Sequence, residues 1–217
     1  MKIIDIGTWK RRALFECFSG YNDPVFSFTV ELDVTELVKV TKNSGTSFFA
    51  NTLYIVTGAL NKFEAFRTRI SGDDVVVYDT VDPNYVVMNT DGVIVTQRTK
   101  WTGDYKTFHS SVRRDSESAK NDTERTEFNN TANDIYYVSC LPWINFTSMK
   151  NPYNTVNPSQ TSIPRLTWGK YFEKDGGFKM SMDISVHHAL MDGYDVAKAF
   201  AEIQRRLDIA GDLCREE

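Results

Sequence analysis

Strand-like and helix-like stretches are both plentiful in this chain but do not take turns, and that irregular order narrows the fold more than any other feature of the sequence. Phe26-Ser-Phe-Thr-Val-Glu-Leu-Asp33 alternates along its length and is rich in β-formers, which predicts a strand. Two helices are expected next. Thr35 can cap a short one from Glu36 to about Lys42, ended by Asn43-Ser44-Gly45. Thr46 can cap a second, in which Phe49, Leu53, Val56 and Leu60 form one apolar face. From Ser71 to about Arg98 the signals turn to β structure: Val75 to Tyr78, then Asn84 to Met88 and Val93 to Val95 joined across Asp91-Gly92, a strong hairpin dipeptide. Residues 104–120 read as a polar surface helix with His109 as a surface histidine, and Ile135 to Val138 as a strand entering Cys140-Leu-Pro-Trp143. Asn151 to Gln160 is a Pro/Asn/Ser loop. Two last strands, Arg165–Phe172 and Phe178–Val186, flank Lys174-Asp-Gly-Gly177 as a hairpin before an amphipathic helix from Tyr194 to Ala210. Strands and helices in this order imply an α/β fold with a mixed sheet covered by helices.

At 217 residues, without internal repeat or linker-like run, the chain reads as one domain over 1–217 with a sizeable core. A formal charge of −4 gives no electrostatic reason to expect nucleic acid or an anionic membrane as partner. The opening MKIIDIGTWKRR lacks the apolar stretch of a signal peptide, and no window is long enough to span a bilayer. Cys17, Cys140 and Cys214 are odd in number and unpatterned, so they read as reduced thiols of a cytoplasmic protein.

Reactive side chains are densest in Ser185-Val-His187-His188-Ala-Leu-Met-Asp192-Gly193, where a strand runs into a turn. Consecutive side chains on a strand point to opposite faces, so His187 and His188 cannot easily share one metal, and no spacing elsewhere supplies further ligands. No metal is expected. Pattern alone leaves two readings open. Both histidines can be structural, with Asp192-Gly193 a turn before the last helix. Alternatively, one imidazole faces a cleft as a general base, its pKa already near working pH. Asp192 would then need a cationic partner if buried.

The segment His187-His188-Ala-Leu-Met-Asp192-Gly193 resembles the His-His-x-x-x-Asp-Gly signature of the type A chloramphenicol acetyltransferases. Trp9-Lys-Arg11-Arg12 with Phe15-Glu16, Phe26-Ser27, Val81-Asp82-Pro83, Leu141-Pro142-Trp143 and Leu166-Thr167-Trp168-Gly169-Lys170-Tyr171 also match that family in order and at similar spacing. The resemblance covers essentially the whole chain. It implies a two-layer sandwich, a mixed, mostly antiparallel sheet with helices on one face, in the CoA-dependent acyltransferase fold. It also implies a homotrimer with active sites at subunit interfaces. By the same resemblance His188 is the catalytic base toward the acceptor hydroxyl, Ser139 stabilises the oxyanion, and Thr167 supports the intermediate through a water. Asp192 and Arg11 match a salt-bridged pair that shapes the site, and Trp143, Lys170 and Tyr171 line the CoA channel, with acetyl-CoA as co-substrate. Direct attack in a ternary complex needs no enzyme nucleophile, which fits the lack of a Gly-x-Ser-x-Gly elbow or a plausible catalytic cysteine.

The acceptor positions depart from the family. Phe26 persists, Phe18 stands where a tyrosine is usual, Asn22 and Pro24 replace an apolar residue and a cysteine, and Val95 replaces a phenylalanine. Arg165, two residues before Thr167, stands where an isoleucine is expected. Ser47 and Phe49 occupy positions where a lysine and a tyrosine can contact CoA. A more polar pocket loses apolar contacts worth about 1–3 kcal/mol each. The resemblance implies acetyl transfer to the primary hydroxyl of chloramphenicol, an antibiotic-resistance activity. The alternatives are the same mechanism on another small alcohol or amine, and a trimeric binding protein without turnover.

Overall fold

The computed structural model describes residues 1–124 and 132–215. In chain order the elements begin with β1 (Lys2–Ile3), α1 (Arg12–Ser19), β2 (Val25–Asp33), α2 (Thr35–Ser44), α3 (Phe48–Asn61) and α4 (Glu64–Arg67). β3 (Thr68–Ser71), β4 (Asp74–Val77), β5 (Asp82–Met88), β6 (Ile94–Arg98), α5 (Tyr105–Asn121) and β7 (Ile135–Leu141) follow. The chain then forms α6 (Pro158–Thr161), β8 (Arg165–Gly169), β9 (Phe172–Lys174), β10 (Gly177–His187), α7 (Gly193–Asp208) and α8 (Ala210–Leu213).

The main sheet has the order β2-β10-β8-β7-β5-β6, with β9 also paired to β10, and a small second sheet is ordered β1-β4-β3. β7 pairs in parallel with both β5 and β8, while the other pairings are antiparallel, giving the mixed, mostly antiparallel sheet expected. Period-two alternation along β10 separates the layers. Met180, Met182, Ile184 and Val186 join the apolar core under the helices, so Ser181, Asp183, Ser185 and His187 take the other face. Helices α3, α5 and α7 pack on the apolar side, completing a two-layer sandwich.

Several local expectations are corrected. α3 does not present one apolar face: it is buried from Ala50 through Leu60, because α5, α7 and the sheet enclose it. Its buried Asn51 is satisfied by Thr41, Thr46 and the Tyr105 hydroxyl. Ser47, not Thr46, caps α3 by accepting the Ala50 N–H, since Thr46 Oγ1 is taken by Asn51. Thr35 lies inside α2 instead of capping it, and its hydroxyl accepts the Phe178 N–H from β10.

The hairpin across Asp91-Gly92 forms, but not with a two-residue turn. Met88 pairs with Ile94, leaving a five-residue loop in which Asn89 Oδ1 accepts the N–H groups of Asp91 and Val93. The two-residue turn is Asp175-Gly176, where both residues have positive φ (52° and 78°) and Lys174 pairs with Gly177. His109 is not a surface histidine. It is 2% exposed, because Tyr105, Phe108, His109 and Val112 share the inward face of α5, and its Nε2 accepts the Ser47 N–H. Among the described residues no helix is long and apolar enough to cross a membrane.

Candidate active site

β10 ends at His187, and the next residue starts a turn whose backbone is held from two directions. The His188 N–H donates to Pro24 O at 2.8 Å, and Arg11 Nη2 donates to His188 O at 2.7 Å. Arg11 Nε adds a bond to Ala189 O at 2.9 Å, and Nη1 donates to Asp192 Oδ2 at 3.0 Å. One guanidinium therefore fixes two successive carbonyls and the carboxylate beyond them. Its side chain is only 14% exposed, so Arg11 is a structural clamp and not a solvated charge.

Asp192 meets the need for a cationic partner and also caps α7, with Oδ1 accepting the Tyr194 N–H at 3.0 Å and Asp195 closing a capping box. Burial alone would raise its pKa; the Arg11 hydrogen bond and the capped amide outweigh that and hold it below the usual carboxylate range.

The His188 ring stacks on Phe18 at 3.8 Å between centroids, nearly parallel, and is flanked by Phe26 at 4.7 Å. Nδ1 lies 3.2 Å from Met191 O. A carbonyl oxygen can only accept, so this contact selects the tautomer with the proton on Nδ1 and leaves Nε2 as the basic nitrogen. His187 is different. It is buried, its Nδ1 accepts the Ala189 N–H at 3.2 Å, and burial, with a smaller effect of neighbouring His188, pushes its pKa down to about 4. The pair thus divides into one buried ring that shapes the turn and one half-buried ring held against Phe18 and Phe26.

The other residues assigned to the chemistry lie on the sheet face away from the helices. Ser139 pairs with Thr167, and Thr167 pairs with Asp183, so the three form a row across β7, β8 and β10. Thr167 is fully buried and donates to Asn151 Oδ1 at 3.5 Å. Asn151 Nδ2 donates to Ser185 Oγ at 3.3 Å, and Asp183 accepts from Ser185 and Thr29 at 2.8 and 3.0 Å. Burial raises the Asp183 pKa against these hydrogen bonds. Ser139 is half-buried on the wall of a cavity of about 470 Å³.

This row does not meet His188 within one chain. Asp183 precedes His188 by five residues on the same strand path, which at strand rise is roughly 16 Å, and Ser139 lies two strands further across, roughly 10 Å.

The remaining positions fall in three places. Trp143 is 65% exposed on the loop after β7. Gly169 lets that loop approach β8, since a Cβ there would lie 2.8 Å from Ile144 O, and Lys170 N donates to the same oxygen at 2.7 Å. Trp143, Lys170 and Tyr171 are thereby tied to one end of the sheet, with Tyr171 against Phe48 and Phe178. Phe18 and Phe26 stand at the His188 ring, and Arg165 lines the Ser139 cavity. Val95 is not brought to that cavity: it pairs with Val87 and is buried on the side of Tyr85, which α5 covers, whereas Ile94 and Thr96 reach the open face. Ser47 is occupied in capping, and Phe49 packs on Tyr85 and Trp168.

The family model described as chloramphenicol acetyltransferase matches residues 1–204. The chain belongs to the chloramphenicol acetyltransferase family. A chloramphenicol acetyltransferase of Proteus mirabilis is 30% identical over 215 residues, covering 95% of this chain and 94% of that protein. A solved chloramphenicol acetyltransferase superposes with a TM-score of 0.84 at 28% identity, covering 95% of this chain and 99% of that one. A dihydrolipoamide acetyltransferase of Azotobacter vinelandii, at TM-score 0.68 and 16% identity over 94% of this chain and 88% of that one, shares the fold.

As a member of this family the chain is an acyltransferase. Among the described residues no group of three or more His, Cys, Asp or Glu side chains could hold a metal ion. Sequence reasoning missed Asn151, which joins Thr167 to Ser185, and Asn84, which lines the Ser139 cavity. The first sat in a segment read only as loop. The second shares its strand face with apolar Val86 and Met88, so no polar alternation marked it.

Proposed function

We propose that this acyltransferase moves an acetyl group from acetyl-CoA to a hydroxyl of a small acceptor by direct attack in a ternary complex. The primary hydroxyl of chloramphenicol is the first acceptor to consider. His188 Nε2 takes the hydroxyl proton as oxygen attacks the thioester carbonyl. An alcohol is a poor nucleophile at neutral pH, so a positioned base contributes about 10²–10⁴-fold. Ser139 donates to the tetrahedral oxyanion, Thr167 supports that intermediate, and Trp143, Lys170 and Tyr171 line the path of CoA. The Arg11–Asp192 pair holds the turn and handles no proton.

The observation that carries this reading is the clamped His188 ring, set between two aromatic rings with its Nδ1 committed to a carbonyl. The distance between that ring and the Ser139–Thr167 row supports an assembly in which His188 of one subunit works with Ser139 of the next, as in a homotrimer with interfacial sites.

Thiol release from acetyl-CoA, with and without chloramphenicol and across other hydroxylated acceptors, tests the reaction. Co-assembly of His188→Ala with Ser139→Ala tests the shared site. Random mixing in a cyclic trimer would restore about a quarter of the wild-type sites; activity no higher than that of either variant alone counts against it. A second reading keeps the mechanism and changes the acceptor. Arg165 in the cavity wall favours it.

A further inference from the structure

Among the described residues lining the Ser139 cavity there is one cation, Arg165, and no carboxylate to pair with it. Arg165 Nη1 donates to Pro152 O, and its guanidinium lies 4.0 Å from the Tyr153 ring and 5.2 Å from the Tyr137 ring, so the cation is held in place between aromatic faces. Its Nε is buried without a hydrogen-bond partner. So is Nδ2 of Asn84, a side chain 3% exposed on the wall of the same cavity. Buried donors are almost always paired in folded chains, and two orphans on one cavity wall point to a partner from outside the chain.

The placement relative to the chemistry is specific. Asn84, Tyr137 and Arg165 are paired across β5, β7 and β8, forming a row two residues from the Ser139–Thr167 row on the same sheet face. Two residues along a strand are about 7 Å. A guanidinium is matched to a carboxylate by charge and by its planar fork of N–H donors.

We propose that Arg165, with Asn84, selects an acceptor that carries a carboxylate several bonds from the hydroxyl that is acetylated. This rests on the acetyl-transfer reading and names its substrate class. Arg165 is a specificity residue that touches substrate away from the reacting atoms.

The test uses pairs of small primary alcohols identical except for a carboxylate or the corresponding primary amide, assayed by thiol release from acetyl-CoA. The wild-type enzyme should favour the carboxylate by about tenfold or more in kcat/KM, chiefly through a lower KM, with a preference that fades as salt is raised. Arg165→Ile should abolish the preference, and Arg165→Lys should keep part of it. Calorimetric binding of the same pairs to the wild-type protein without acetyl-CoA gives a readout that needs neither turnover nor a folded variant; tighter binding of the carboxylate is expected. Equal use of both members, a preference that survives in Arg165→Ile, or an assembled structure with a neighbouring copy's carboxylate on Arg165 would overturn the proposal. If no alcohol is acetylated, the acetyl-transfer reading fails on its own, and calorimetry still decides whether the carboxylate site exists.

Discussion

The two halves of the candidate site are built in opposite ways. Around His188 the turn is tied down within the chain: Arg11 spans two carbonyls and Asp192, Asp192 caps α7, and Nδ1 of the ring rests on Met191 O. On the open sheet face the cavity beside Ser139 is walled by two buried donors, Asn84 Nδ2 and Arg165 Nε, that no described residue accepts from. The first half is a finished local structure that presents one nitrogen. The second is a polar surface waiting for something from outside, whether ligand or neighbouring subunit. On the proposed reading, the base is positioned by folding alone, while the oxyanion side would be completed on assembly and binding.

The largest effect separating the halves should come from His188→Ala, which is expected to lower kcat by about 10²–10⁴ while leaving the thermal midpoint close to wild type; a loss within tenfold would remove the general base from the scheme. Ser139→Ala should follow with about 10²–10³ in kcat and little change in KM for acetyl-CoA, as expected for a donor that acts on the transition state. A KM effect alone would make Ser139 a binding group.

Next in size is a stability effect confined to the finished half. The folded His187 ring resists protonation down to about pH 4, whereas the unfolded ring takes a proton near 6.5. Its contribution is therefore complete above about pH 6.5 and is lost as pH falls toward 4, by about 3 kcal/mol at most. Urea unfolding at stepped pH, compared between wild type and His187→Gln, isolates this slope from that of the carboxylates. Parallel curves would mean that the ring is already protonated or open to water.

The smallest effect is expected for Asp192→Asn. It keeps an N-cap but removes the charge facing Arg11, and should cost about 1 kcal/mol of stability and reduce kcat by about tenfold or less. A loss as large as that of His188→Ala would give Asp192 a direct part in proton transfer.

Much of this arrangement was legible in the residues. β2 and β10 follow from period-two alternation, β7 from a short apolar run, and Gly45 ends α2 in the left-handed conformation that glycine favours. Other features were not legible. Asp91-Gly92 and Asp175-Gly176 are the same dipeptide, yet only the second forms a two-residue turn, because Asn89 uses its side chain to widen the first into a five-residue loop. His109 and α3 are more buried than their local patterns predict, since a helix's own pattern does not say how many neighbours will cover it. Val95 looked like a pocket residue by position along the chain, and one step of strand parity placed it on the other side of the sheet.

By itself the sequence determined most of the longer strands and helices, that His188 and Asp192 share one turn, and which family the chain would resemble. These depend on local periodicity, turn chemistry and ordered motifs, all of which are written along the chain. Only the tertiary structure decided that His188 and the Ser139–Thr167 row stand far apart in one chain, and that Arg165 shares a cavity with Asn84. Both depend on the register between strands distant in sequence, which is set by packing the whole sheet against one helical layer and not by any segment alone.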